Sequence, residues 1–313
     1  MLHLDADATL RALPMRALID TLRRRFADGC EVPLRHTHAV AAADGTPAGT
    51  VLIMPAWRPG GRLGIKTVNV FPGNARLGLP ALHASYTLFD AGTGAPLATL
   101  DGSVITTRRT VAASALAADH LARRDVRHLL VVGCGRLARV VPEAMRAVRP
   151  SIERISVWNH RAAGAEALAA DWRAQGLRAE AAPDLEAAVR AADLVSCVTL
   201  AGQPLVRGAW LRAGAHLDLV GGFTPEMRES DGDCWRRARA WVDTDEALAK
   251  AGDVLQAVAE GAWEPARLQG RLADLCRGAG GRVRDDEVTL FKSVGNALED
   301  LAAAELAHDG VTG

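Results

Sequence analysis

The sequence predicts an α/β protein in which a doubly wound parallel sheet is inserted into a second, α+β domain. Three observations carry this. Short apolar runs alternate with helical stretches through residues 114–290. A GxGxxA segment, Gly133 to Ala138, directly follows one of those runs. Ahead of them lies a stretch of strand-like runs broken by glycine and proline.

Residues 1 to about 30 read as helix, with Ala12, Leu13, Ala17, Leu18 and Leu22 at helical spacing, Pro14 in an early turn and Gly29 as the stop. From Val32 to Leu100 the runs HTHAVAAA, GTVLIMPAW, LGIKTVNVF and HASYTLFDAGTGAPLATL predict an antiparallel sheet. RTVAASALAADHLARR, residues 109–124, predicts a helix that Arg109 opens. The strand HLLVV (128–132) then leads through the glycine loop into a helix ending near Pro150. Strands ISVW, DLVSCVT, AHLDLVGG and RAWVDT follow, with AGAEALAADWRAQG and LEAAVRAA as helices among them. Everything after Asp285 reads as one closing helix.

The balance of charge narrows the functions open to such a chain. Lys+Arg and Asp+Glu are both 37 in 313 residues, so no net field draws it to nucleic acid or to an anionic membrane. The five cysteines are scattered without a CxxC pair and predict free thiols in a reducing compartment. The start, MLHLDADATLRALPM, places acids where a signal peptide needs a basic region, and no apolar run reaches the roughly 18 residues of a membrane span. The expectation is a soluble, cytoplasmic protein.

In the glycine loop, Gly133 permits a tight turn and Gly135 lets backbone approach a pyrophosphate. Ala138 is small enough for the following helix to pack on the strand. The plainer alternative is an ordinary strand-to-helix turn. Cofactor choice is set at the end of the next strand, which reads Val157-Trp158-Asn159-His160-Arg161 and lacks the carboxylate that accepts from a ribose 2′-hydroxyl. Asn159 and Arg161 can donate to a 2′-phosphate, so NADP(H) is expected over NAD(H). The alternative is that Arg161 is a solvated loop residue and either cofactor serves.

Only Lys66, Lys250 and Lys292 are lysines; every other cation is arginine. On a strand of period two, Lys66 shares a face with Gly64, Val68 and Val70. Buried there, it would have a lowered pKa suited to general acid/base work; on an edge strand it would simply point to solvent. Arg109, read as the start of a helix, opposes the helix dipole and so points to a nearby anion, with a fork suited to a carboxylate. Arg35 is a further candidate from the first strand, although any one arginine in so arginine-rich a chain can be a surface residue. His36 and His38 lack a third ligand at metal spacing, so no metal is assigned. Asp218 reads equally as structural or catalytic, and Asp243 and Asp245 most simply cap a helix.

With these residues in place, the chain resembles the ornithine cyclodeaminase/mu-crystallin family over almost its full length. The landmarks are Met54-Pro55, Gly64-Ile65-Lys66-Thr67, Pro72-Gly73-Asn74, Phe89-Asp90 with Gly94, Arg109-Thr110, the GxGxxA loop, Val220-Gly221-Gly222 and Leu290-Phe291-Lys292-Ser293-Val294-Gly295. The resemblance implies a Rossmann-type cofactor domain at 114–290 and a substrate-binding and dimerisation domain from residues 1–113 and 291–313. It implies a homodimer, hydride transfer at the α-carbon of a small amino or imino acid, and an active site facing the nicotinamide. By motif position, Arg35 and Arg109 would hold the substrate carboxylate, and Lys66 would act on the substrate nitrogen or a bound water. Cofactor contacts would fall on Arg136, Leu137, Asn159 and Thr199, with Val220, Gly221 and Ser293 near the nicotinamide.

The departures from the family pattern bear on the substrate. Cyclodeaminases carry an acidic residue ahead of the Met-Pro pair and an aspartate after the Gly-Gly; here these positions are Leu52 and Phe223. A diamine would meet apolar side chains where it needs anions. The resemblance is therefore closer to the reductase branch, which reduces cyclic imino acids such as Δ1-pyrroline- or Δ1-piperideine-2-carboxylate. Ornithine cyclodeamination, alanine dehydrogenase-like amination and a low-turnover cofactor-binding role stay open.

Overall fold

The computed structural model describes residues 1–74 and 76–313. The N-terminal stretch is three elements instead of one helix: β1 (Leu2–Leu4), α1 (Ala6–Arg11) and α2 (Met15–Asp28). Pro14 is the reason for the break. It cannot donate to the turn before it and serves as the N-cap of α2. Met15, Leu18, Ile19, Leu22 and Phe26 then line one buried face, and Gly29, at φ +80°, ends the helix.

Strands β2 (His36–Ala41), β3 (Pro47–Trp57), β4 (Arg62–Val70), β5 (Leu82–Asp90) and β6 (Pro96–Asp101) follow. They form a six-stranded sheet in the order β1-β6-β5-β4-β3-β2, antiparallel except where β1 joins β6. Helix α3 spans Gly102–Leu121, so it begins seven residues before Arg109, which lies well inside it. The earlier start comes from Asp101, the residue ahead of the helix, whose carboxylate accepts from Val104 N–H at 2.8 Å.

The alternating region is β7 (His128–Val132), α4 (Val141–Val148), β8 (Arg154–Trp158), α5 (Ala162–Ala174), β9 (Ala179–Ala181), α6 (Leu185–Ala191), β10 (Leu194–Cys197), β11 (His216–Leu219), α7 (Gly232–Arg237), β12 (Arg239–Val242), α8 (Glu246–Lys250), α9 (Gly252–Ala259), β13 (Gly270–Arg271), α10 (Leu272–Cys276) and β14 (Thr289–Lys292). The eight strands pair in parallel in the order β13-β12-β14-β11-β10-β7-β8-β9. Two sequence expectations are corrected here. The glycine loop passes through a turn at 136–140 before α4 starts at Val141. The segment after Asp285 is not one helix: Thr289–Lys292 is a buried strand of the parallel sheet, and only α11 (Ala297–Thr312) is helical. Gly295, at φ +81°, lies between them.

The chain divides into two compact units, one of Met1–Arg109 with Asn296–Gly313 and one of Thr110–Gly295. In the first, α11 packs on α2 and on β3, β4 and β5. It is buried nearly all round, which its alanine- and leucine-rich sequence requires. In the second, Leu130, Val132, Val195, Cys197, Leu217, Leu219, Trp235 and Leu290 form the centre of the core. All five cysteines are free thiols. Among the described residues no helix is long and apolar enough to cross a membrane, and no three His, Cys, Asp or Glu gather as metal ligands.

Candidate active site

The strand-rich unit buries a compact group of charges. The alternation of β4 turns Gly64, Lys66 and Val68 inward, so Lys66 is 2% exposed. Its Nζ lies 2.6 Å from Asp300 Oδ2 and donates to Thr106 Oγ1 at 3.5 Å. Tyr86 is its cross-strand neighbour on β5, and the Tyr86 ring is why residue 64 is glycine: a Cβ there would fall 1.8 Å from the phenol oxygen. Burial lowers the Lys66 ammonium to about 8, helped by the nearby Arg109 and opposed by Asp300 and Glu299.

Arg109 needs no helix-dipole argument, because two carboxylates meet it. Its Nη1 donates to Glu299 Oε2 at 2.6 Å and its Nε to Asp300 Oδ1 at 3.0 Å. Both acids come from the first turn of α11 and are buried. Asp300 therefore joins Lys66 and Arg109, one carboxylate oxygen to each cation. Arg35 lies one residue ahead of β2 and is half-buried. Leu52 is half-buried on β3, paired across to Val68, with no acid at that register.

The dinucleotide unit presents its strand ends as the glycine loop anticipates. Gly133 adopts φ +109°, and a Cβ there would press within 3.0 Å of the Val198 carbonyl. A Cβ on Gly135 would meet nothing within 4 Å, so backbone at this turn is open to a close-lying phosphate. Arg136 is exposed, Leu137 half-buried and Ala138 buried. At the end of β8, Asn159 Nδ2 donates to the Arg161 carbonyl at 3.1 Å, while the Arg161 side chain is exposed. Ser293 is buried and its Oγ has no hydrogen-bond partner among the described residues. That orphaned hydroxyl and the open side of Gly135 fit a dinucleotide laid along the strand ends.

Several residues of this end escape a sequence reading. Glu229 is fully buried, and its carboxylate accepts from Thr199 N–H and Oγ1 at 2.7 and 2.8 Å and from Gly221 N–H at 2.7 Å. Burial pushes this carboxyl up to about 7, with Lys292 pulling it down and Asp253 pushing it further up. Lys292 Nζ stands 3.4 Å from Asp253 Oδ2, both side chains at 0% exposure. Asp218, on β11, accepts from Ser196 Oγ at 2.7 Å, and burial raises it to about 6. Asp243 is not a helix cap: it is buried and accepts from the N–H groups of Thr244, Val294 and Gly295, fixing the turn after β14. Asp245 stands at the N-cap of α8 without a side-chain bond to it and pairs instead with Arg271. The signals available were acids embedded in apolar sequence, Glu299-Asp300 within an alanine-rich helix and Asp253 between Gly252 and Val254; Glu229, between Arg228 and Ser230, carries no such signal.

A parallel sheet with a glycine loop at its first strand, and solved relatives of the same fold, define an NAD(P)-dependent oxidoreductase. The chain belongs to the ornithine cyclodeaminase/mu-crystallin family, whose model matches residues 8–313. It is 41% identical over 294 residues to the Δ1-pyrroline-2-carboxylate reductase of Paracoccus denitrificans, covering 91% of this chain and 92% of that one. The solved structure of Thermococcus litoralis Δ1-pyrroline-2-carboxylate reductase in complex with NADH and L-proline is 32% identical, with a TM-score of 0.91 over 99% of this chain and 97% of that one. An archaeal alanine dehydrogenase dimer with bound NAD is 28% identical, with a TM-score of 0.90 over 99% of this chain.

Proposed function

We propose that the protein reduces a cyclic imino acid, Δ1-pyrroline-2-carboxylate or its six-membered homologue, to the corresponding amino acid, acting on the CH–NH group with NADPH. The observation that carries this is the buried Lys66–Asp300 pair at 2.6 Å, which holds an ammonium lowered to about 8 by burial inside the strand-rich unit. The cofactor, when bound, supplies the hydride. Lys66, directly or through a water, keeps the imine nitrogen protonated, which makes its carbon the better acceptor. Arg109 and Arg35 hold the carboxylate and so orient that carbon. Lys66 and Arg109 are balanced by Glu299 and Asp300, and in this reading Arg35 brings the positive charge that a monoanionic substrate meets.

Leu52 and Phe223 support a reductase over ornithine cyclisation, because neither offers a counter-charge to a side-chain amine. Asn159 and Arg161, without a carboxylate beside them, support NADP(H) over NAD(H). The dimeric alanine dehydrogenase relative supports a homodimer, and five free thiols support a cytoplasmic setting.

Adding the protein to NADPH and Δ1-pyrroline-2-carboxylate tests the reading by loss of nicotinamide absorbance. Rapid oxidation with proline as product is expected, with a lower KM for NADPH than for NADH. No oxidation with this substrate or its homologue, together with ammonia release from ornithine, would replace the reading by cyclodeamination. A clear NADH preference would overturn the cofactor assignment alone.

A further inference from the structure

The order of the parallel sheet turns back on itself between β7 and β10, since the chain runs outward through β8 and β9 and then returns to β7's other side. A dinucleotide lies across such a reversal at the carboxyl ends of the strands. With the pyrophosphate at the β7 loop and the adenosine ribose at the end of β8, the nicotinamide half falls toward the ends of β10 and β11. Those ends are Thr199 and Gly221, and one buried side chain grips both.

We propose that Glu229 is a positioning residue for the nicotinamide half of the cofactor, acting through Thr199 and Gly221; this rests on the dinucleotide reading above. Its carboxylate takes three donors from two strand ends, so the loops after β10 and β11 are held to one spacing. The main chain of Glu229 is pinned as well. Its N–H donates to Asp253 Oδ1 at 2.9 Å, and its carbonyl accepts from Leu205 and Val206 N–H, both at 2.9 Å. Asp253 Oδ1 also accepts from Ser230 N–H and Oγ, and Lys292 balances the charge from β14. The close fit leaves no room for a side chain on the gripped loop: a Cβ on Gly221 would lie 1.7 Å from the Thr199 carbonyl oxygen and 2.5 Å from Glu229 Oε1. Glu229 does not touch the substrate in this scheme. It sets where the two backbone segments stand.

Glu229→Gln keeps the shape but replaces one acceptor oxygen with an amide that donates, leaving one of the gripped N–H groups facing another donor. Binding of NADPH and of 2′-phospho-ADP-ribose, which lacks the nicotinamide, is measured by calorimetry on wild type and variant. The expected result is an NADPH Kd about tenfold or more higher in the variant, with the fragment's Kd changed less than about twofold. The KM for imine should stay within about twofold. Equal Kd values for NADPH in both proteins, or equal losses for NADPH and fragment, would overturn the proposal. If Glu229→Gln does not fold, Glu229→Asp, which keeps the charge but draws the carboxylate back from Thr199 and Gly221, is read by the same split, with a smaller NADPH-specific loss expected and none overturning it. Wild-type protein that binds neither NADPH nor NADH would instead sink the dinucleotide reading itself.

Discussion

Lys66→Ala is expected to lower imine turnover by about 10²–10⁴-fold, the range that a positioned proton donor contributes, while leaving NADPH affinity unchanged. Loss of the lysine leaves Arg109 alone against Glu299 and Asp300, so denaturant unfolding is measured beside turnover and the turnover loss is read on the folded variant. The wild type carries a pH signature of the same group. Lys66 is lowered to about 8, so it holds its proton below that pH and releases it above. Reduction should therefore be sustained near neutral pH and decline as pH rises through about 8, and a kcat/KM profile measured from pH 6 to 10 checks it. Turnover in Lys66→Ala within threefold of wild type would remove the lysine from the chemistry.

Arg109→Met is expected to cost about 3–5 kcal/mol of stability in denaturant unfolding, the range for removing one partner of a buried ion pair. The reason is local. Glu299 and Asp300 are both at most 1% exposed, and Arg109 meets each of them. Lys66 can balance one of the two carboxylates, so one is left over. Adding Glu299→Gln to the arginine variant should recover a large part of the loss by removing that charge. A loss below about 1 kcal/mol, or no recovery in the double variant, would show that Arg109 is not the counter-charge that holds the start of α11. The arginine thus has a structural duty in addition to the substrate contact proposed for it, and an activity loss in Arg109 variants has to be read beside their stability.

Local pattern made some of this legible in the sequence and left the rest hidden. The parallel strands were readable because each is a short apolar run between helices, and the loop at Gly133 because its spacing has a mechanical meaning. Lys66 was readable as a lone lysine in an arginine-rich chain at a period-two position. Its partners were not, since Asp300 becomes a neighbour only when α11 packs on β4, and nothing local records that contact. The start of α3 lies earlier than the apolar pattern predicts because Asp101 caps it through Val104 N–H, ahead of the first alanine-rich turn. The strand at Thr289–Lys292 reads as helix in the sequence because a fully buried parallel strand has no alternation to set it apart from helix in a short apolar run. Glu229 was unmarked for a related reason: its importance lies in backbone donors from two other strands.

The distance along the chain between the cations and their counter-ions also sets an order of assembly. Arg109 and Asp300 are separated by 191 residues. At ribosomal rates of about 5–20 residues per second, that is on the order of 10–40 s of synthesis. Throughout that interval the nascent sheet holds Lys66 and Arg109 without Glu299 or Asp300, while the whole of Thr110–Gly295 emerges and can fold. The contacts of α11 with α2 and the sheet thus form only after the rest of the chain has been made. A chain interrupted before residue 299 lacks both acids that meet Arg109, while the whole of Thr110–Gly295 is already made.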